Sequence, residues 1–421
     1  MSRITSRLLY TNEELEKISK DLTITLQNNQ SGYTSFTSTV LQLYDILGDN
    51  DIVIPFSYKN SVARPDRSTF NGREIIFEGK LRENQLDVRK ESISCLNDTG
   101  SVLISAYCGF GKSAMAINIA CTIKLRTLII CHRIVLINQW LDTIKQFSPK
   151  STVQILSGNS DIDNCDFYII NAINVPKYNN KSNVFNDIGC LIVDECHTIV
   201  AEKIYECMKC VFPRYVVGLS ATPYRTDGLN SLIDLYFGKH KIIRELNRKH
   251  TVYKINTDFV PEIKFNKIGR LDWGSVLDSQ ANNEKRNDMI ISIIRRYDNR
   301  NFLVLCKRVI QANYLELKLK EYGEKVTSLI GSNQIYDKDS RILIGTSSKI
   351  GVGFDHPKLD ALILASDIEQ YFIQYLGRVF RTQKVEPIIF DIVDKFPLLV
   401  KHYKTREEIY KKHGGCIKIF K

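Results

Sequence analysis

The residue types with the most chemistry in their spacing lie in two short runs, SVLISAYCGFGKS at 101–113 and LIVDECH at 191–197. In the first, Gly109 and Gly111 let the backbone of the loop Ala106, Tyr107, Cys108, Gly109, Phe110, Gly111 bend tightly. Such a loop brings its N–H groups close to phosphate oxygens. Lys112 follows at the start of a helix-like segment, AMAINIACTIK, whose positive dipole end points at the same oxygens. A lysine there reaches the β- and γ-phosphates, and Ser113 can ligate Mg²⁺. In the second run an apolar strand ends in two acids. Asp194 is suited to holding Mg²⁺ through water, and Glu195 to polarising an attacking water. Together these residues describe hydrolysis of a nucleoside triphosphate.

Three further groups fit around that reaction. Leu81-Arg82-Glu83-Asn84-Gln85 precedes the loop. A glutamine amide pairs bidentately with an adenine edge, which makes Gln85 a candidate for selecting ATP over GTP; a polar helix start fits these residues equally well. Ser220-Ala221-Thr222-Pro223 follows the next strand, and its small hydroxyls can bridge His197 to a second domain. Gln374-Tyr375-Leu376-Gly377-Arg378-Val379-Phe380-Arg381 carries two arginines three apart on one helix face. Guanidinium groups there suit arginine fingers that reach a γ-phosphate across a cleft, although alone the segment reads as a solvated basic helix end.

The elements that must position these groups alternate in type. From Lys80, short apolar runs at Val102–Ser105, Thr127–Cys131, Phe167–Asn171, Cys190–Val193 and Val216–Leu219 are separated by helix-like segments. That pattern predicts a parallel α/β sheet. A second alternating series begins near Asn287, with strands expected at Phe302–Cys306, Arg341–Gly345, Leu362–Ala365 and Ile388–Ile392. Before Lys80, helical spacing of Leu15, Ile18, Leu22 and Leu26 and strand-like runs at Asp51–Ser57 and Glu74–Phe77 predict a small accessory domain. Lys59, Arg64, Arg67 and Arg73 in it are candidates for nucleic-acid contact or for a solvated loop. The expected organisation is an accessory domain at 1–79, a first α/β domain at 80–245, a linker at 246–286 and a second α/β domain at 287–421.

With 421 residues and 43% hydrophobic content, the chain can bury cores for two or three domains. No apolar stretch reaches the roughly 18 residues of a membrane span, and MSRITSRLLYTNEELEK has no signal-peptide core. The expectation is a soluble, intracellular chain without a membrane partner. Eleven cysteines scattered through strand-like and helix-like segments suit a reducing compartment. Cys207 and Cys210 form a lone CxxC without the second pair that a zinc ribbon needs. The net charge of +11 suits a polyanionic partner.

Arg82-x-x-Gln85, AxxGxGKS, DECH, SATP and QxxGRxxR occur in the order and spacing of the superfamily 2 helicases, which the chain resembles over residues 80–400. Ala106, where a generic phosphate loop has glycine, is usual in that group. SATPYRTDG resembles the XPB-type DNA helicases and their phage relatives, and FDIVDKF with TREEIYKKHGG is similar to the poxvirus-type transcript-release helicases of large DNA viruses. IICHRIVLINQW looks like the first nucleic-acid motif, Phe302–Leu305 with Arg308 the fourth, and TSSKIGVGFD the fifth. The resemblance implies two tandem RecA-like domains with ATP and Mg²⁺ between them, bound by Arg82, Gln85, residues 106–113, Asp194, His197, Gly353, Asp355 and Gln374. It implies Lys112, Glu195, Arg378 and Arg381 as the catalytic set. It also implies DNA crossing both domains by His132, Arg133, Thr222, Arg308 and Thr346, translocation from 3′ to 5′, and a role beside RNA polymerase or a transcription complex, in the virion or the host cell's replication compartment. Cys196 replaces the alanine more frequent in such boxes, and Val352 a glutamate. An RNA-directed helicase and an ATP-dependent clamp that does not unwind remain open alternatives.

Overall fold

The computed structural model describes residues 2–27, 38–59, 62–158, 161–178, 184–199, 205–221, 230–331, 335–350, 356, 358–368, 372–380 and 385–420. The chain divides into two compact units, the first comprising residues up to Ala106 and Phe110–Arg244, the second Glu245 onward together with Tyr107–Gly109 of the glycine loop. All five strands expected in the first α/β region form, and they lie in one seven-stranded sheet. Its spatial order is Lys241–Arg244, Ser101–Ala106, Tyr215–Ser220, Cys190–Val193, Thr127–Cys131, Phe167–Asn171, Val153–Leu156. Every pairing is parallel. Helices cover both faces of such a sheet, so its strands read as unbroken apolar runs; Val102, Leu103, Ile104, Leu191, Ile192 and Val193 are all fully buried. The two strands not anticipated are the edges. Val153–Leu156 has three half-buried residues and lacks such a run. Lys241–Arg244 buries only Ile242 and lies in a charge-dense stretch.

The N-terminal residues are built onto this unit. Ser2–Ser6, Asp51–Pro55 and Asp45–Leu47 make a three-stranded antiparallel sheet, and Thr23–Gln27 pairs with Ser38–Gln42. The helix Asn12–Asp21 starts with a reciprocal Thr11–Glu14 capping box. Ile18, Leu22, Leu43, Ile54 and Phe56 join Leu128, Ile130 and Ile170 of the parallel sheet in one core. Residues 74–77 are not a strand. Neighbouring amides bond elsewhere, Arg73 N–H to Lys124 O and Glu78 N–H to Phe147 O, and Phe77 stacks on Phe147 at 5.3 Å. All four basic residues that the sequence offers for nucleic acid have structural partners. Arg64 donates to Leu96 O, Asn97 O and Asp98 O at the end of the helix Glu83–Asp98. Arg67 donates to Ile123 O at the end of Lys112–Ile123. Cations there complement the orphan carbonyls and negative dipole end of a helix. Arg73 pairs with Asp187 and Asp166, and Lys59 lies over the Tyr10 ring at 5.0 Å.

The second unit is also a seven-stranded, fully parallel sheet. Its order is Val326–Leu329, Ile342–Thr346, Phe302–Cys306, Ala361–Leu364, Ile388–Val393, His250–Asn256, Gly415–Ile419. The four expected strands are present. His250–Asn256 lies within the stretch expected to be a linker, yet it is an interior strand, with Val252 and Ile255 buried in register with Ile389 and Ile392. Its polar residues hid it: HTVYKIN lacks an uninterrupted apolar run. The helix Pro397–Lys412 buries Arg406, which bridges Asp391 and Asp367 at 2.8 and 2.9 Å. No helix among the described residues is long and apolar enough to cross a membrane.

Candidate functional site

In the first unit the C-terminal ends of Ser101–Ala106, Cys190–Val193 and Tyr215–Ser220 bring the candidate residues to one edge of the sheet. In open α/β sheets that edge is where ligands bind. Gly109 and Gly111 take left-handed conformations, φ +87° and +88°, and Gly111 caps the helix Lys112–Ile123. A Cβ on Gly111 would lie 2.5 Å from Gln85 Nε2 and 2.8 Å from an Arg82 guanidinium nitrogen, so only glycine fits. Both side chains hold the loop: Gln85 Nε2 donates to Phe110 O at 2.6 Å, and Arg82 donates to the same carbonyl. Gln85 Oε1 accepts the Arg82 amide at 2.8 Å. Lys112 Nζ donates to Ala106 O at 2.7 Å across the loop, and Ser113 is half-buried behind it. Tyr107 and Cys108 are half-buried, Gly109 is exposed and Phe110 is buried.

Asp194 is buried, and both its oxygens accept hydrogen bonds: Oδ1 from the Glu195 amide at 3.0 Å and Oδ2 from Trp140 Nε1 at 2.9 Å. Burial, then repulsion from Glu195, pushes the Asp194 carboxyl up to about 6. The Trp140 bond and the charge of Lys112 work against that rise. Glu195 has φ +47°, an uncommon conformation for a residue with a side chain. Its Oε2 is buried without a hydrogen bond and lies 3.5 Å from His197 Nδ1. His197 Nδ1 also shares a 2.8 Å hydrogen bond with Ser220 Oγ, inside the first unit.

The residues expected on nucleic acid are more dispersed. His132 is half-buried and close enough to Glu195 and His197 to feel their charges. Burial, with Arg133 next to it, lowers its pKa to about 4, so the ring is neutral at pH 7. Arg133 is exposed at the N-cap of the helix Ile134–Phe147. In the second unit, Arg308 caps the helix Val309–Glu321, pairs with Asp278 at 2.6 Å and donates to Gly274 O at 3.1 Å. Thr346 is buried at the end of its strand. Gln374 and Arg378 lie on the helix Phe372–Val379, Gln374 buried and Arg378 half-buried. Thr222, Gly353, Asp355 and Arg381 lie outside the described residues.

Trp140 is the site residue that residue-type reasoning missed. It appeared only as the end of a nucleic-acid motif, and an isolated tryptophan at helical spacing reads as core. The fully buried indole is core, but its N–H goes to an acid of the site.

The arrangement fits a nucleoside triphosphate and Mg²⁺. The glycine loop has no room for a Cβ at Gly111, a helix N-terminus follows it, and Lys112, Ser113 and Asp194 supply one cation and two oxygen donors. Comparisons with known proteins agree with this chemistry. Residues 78–225 match the family described as "Type III restriction enzyme, res subunit". The protein "Putative helicase 161L" of Invertebrate iridescent virus 6 is 44% identical over 397 residues, covering 87% of this chain and 89% of the relative. Its counterpart 055L of Frog virus 3 (isolate Goorha), also named a helicase, is 33% identical over 344 residues, covering 80% and 79%. Among solved structures, S. cerevisiae Dbp5 bound to RNA and ADP BeF3 superposes with a TM-score of 0.55 at 14% identity, covering 79% of this chain and 89% of that one. Mycobacterium smegmatis Lhr bound to ssDNA and AMP-PNP gives 0.53 at 15% identity, covering 79% and 48%. The chain therefore belongs to the superfamily 2 helicases of large DNA viruses, ATP-hydrolysing enzymes built on two tandem RecA-like sheets.

Proposed function

We propose that this helicase is an ATP-driven translocase on DNA, moving 3′ to 5′, that serves in viral transcript release. The observation that carries the hydrolytic part is Glu195: a carboxylate oxygen buried without a hydrogen bond, on a left-handed backbone, at the sheet edge that holds the phosphate loop. Strain and an unsatisfied buried acceptor at such an edge suit a group that takes a proton from an attacking water. Lys112 and the Gly109–Gly111 amides bind the triphosphate, and Ser113 and Asp194 hold Mg²⁺. When bound, Mg²⁺ neutralises phosphate charge and orients the oxygens for in-line attack. Trp140 orients Asp194 through its indole N–H. His197, joined to Ser220, lies beside the Glu195 carboxylate and transmits its position to the strand that leads to residues 220–223. Arg378 and Arg381 act as arginine fingers.

The choice of DNA rests on the resemblance to XPB-type helicases. The RNA-bound and ssDNA-bound solved structures support the fold equally and do not discriminate. The test is steady-state ATP hydrolysis with single-stranded DNA, duplex DNA and RNA, with Lys112→Ala as the inactive control. We expect DNA to stimulate severalfold more than RNA. Stimulation by RNA alone would replace this reading with an RNA-directed helicase. Stimulation by DNA without strand displacement would leave translocation or a clamp.

A further inference from the structure

We propose that the hairpin at 262–272 is a separate single-strand binding element, with Phe265 stacking on bases and Lys264, Lys267 and Arg270 meeting phosphates. The inference rests on the reading of the chain as a nucleic-acid motor. Nine consecutive residues, Glu262 to Arg270, are exposed. Phe265 is 63% and Ile268 57% exposed. Exposed apolar side chains on an ordered segment call for a partner, and this segment is well braced. Lys264–Phe265 pairs antiparallel with Leu271–Asp272. At the tip, Asn266 Oδ1 accepts the amides of Ile268 and Arg270 at 3.1 and 2.9 Å, and Gly269 takes φ +72°. At the base, the Glu262 and Lys264 amides donate to Ser279 Oγ and Ser275 Oγ, each at 2.8 Å. The hairpin is therefore a preformed projection, which lowers the ordering cost of binding.

Charge favours nucleic acid over a protein partner. From Glu262 to Asp272 three cations stand against two carboxylates, and Asp272, opposite Lys264 in the register, accepts the Gly274 amide at the start of the next helix. Lys264, Lys267 and Arg270 make no ion pair among the described residues, whereas many other exposed lysines do, such as Lys320 with Glu316 and Lys411 with Glu407. Successive strand residues face opposite sides, so Phe265 points away from Lys264. An exposed aromatic on one face, with cations free of ion pairs on the other face and at the tip, offers a base-stacking platform and phosphate contacts on one small element, the combination that binds single strands without sequence preference. The hairpin also runs directly into the helix Trp273–Asn282, where Gly274 O and Asp278 receive Arg308, a residue expected on nucleic acid.

The test is equilibrium binding of labelled oligo-dT and oligo-U by the full chain, over a range of salt. The variants are Phe265→Ala, Phe265→Trp, and Lys264→Ala, Lys267→Ala and Arg270→Ala combined. Melting midpoints equal to wild type confirm the fold of each, since the altered side chains are exposed. Phe265→Ala should weaken binding by roughly fivefold to a hundredfold, and Phe265→Trp should restore it. The triple variant should flatten the log–log salt slope by about 2, at about 0.7 per phosphate contact. Comparison of the two strands assigns the element to DNA or RNA. Variants that bind both strands with wild-type affinity and salt slope would overturn the hairpin's role and leave the motor reading intact. A wild-type chain that binds neither strand would overturn the motor reading and the hairpin's role with it.

Discussion

The indole N–H of Trp140 donates at 2.9 Å to the buried Oδ2 of Asp194, joining the helix Ile134–Phe147 to the acid at the end of the central strand Cys190–Val193. A hydrogen bond to a charged acceptor contributes about 1.5–3 kcal/mol, and a buried acceptor left without one is costly. Trp140→Phe keeps the aromatic packing and removes the donor. It should destabilise the metal-free chain at pH 8 by about 1–3 kcal/mol and raise the Mg²⁺ concentration needed for half-maximal hydrolysis. Urea unfolding in EDTA at pH 8 and pH 5, with a Mg²⁺ titration of turnover, checks this. A loss equal at both pH values would mean that packing alone is affected.

Asp194 itself should cost stability at neutral pH. Its carboxyl is pushed from an ordinary 3.8 up to about 6, so the folded chain binds this proton more tightly than the unfolded chain does. The favourable contribution of the protonated form is complete below 3.8 and is lost as pH rises through about 6. Asp194→Asn still accepts the Trp140 bond but carries no charge. In EDTA the variant should be more stable than wild type at pH 8, with the difference shrinking towards pH 4. It should also be inactive. A stability difference that is flat between those pH values would refute the assignment.

Gln85 has two possible duties, and one variant separates them. Its amide is already bound to Phe110 O and the Arg82 amide, so Gln85→Ala loosens the loop as well as any contact to adenine. We expect the KM for ATP to rise and the gap between ATP and GTP to narrow. Equal rises for both nucleotides would assign Gln85 to bracing the loop alone.

Arg381→Ala, and Arg378→Ala beside it, should bind ATP within about tenfold of wild type, under ~1.4 kcal/mol. DNA-stimulated turnover should fall by at least about 10², because a finger acts on charge that develops in the transition state. Arg381→Lys should not restore it, since lysine keeps the charge without the planar fork. Equilibrium binding of a labelled ATP analogue beside steady-state hydrolysis decides; normal turnover would remove these arginines from the reaction.

The amino-acid sequence by itself determined the class of the protein. Parallel strands buried on both faces commonly read as unbroken apolar runs, so LIVD, SVLISA and FLVLC announce themselves locally, and so does the phosphate-loop Gly111, whose left-handed backbone and close neighbours leave no place for a side chain. What local text could not carry was decided by tertiary structure. The edge strand Lys241–Arg244 and the interior strand His250–Asn256 mix polar and apolar residues, and only their sheet partners make them strands. Arg64 and Arg67 look like surface charge until the helix ends they cap are folded beside them. Trp140 and Asp194 are 54 residues apart, and Gln85 and Phe110 are 25 apart. A hydrogen bond between such residues has no signature in spacing, because it exists only once the strand Thr127–Cys131 lies beside Cys190–Val193 and the helices close over the sheet.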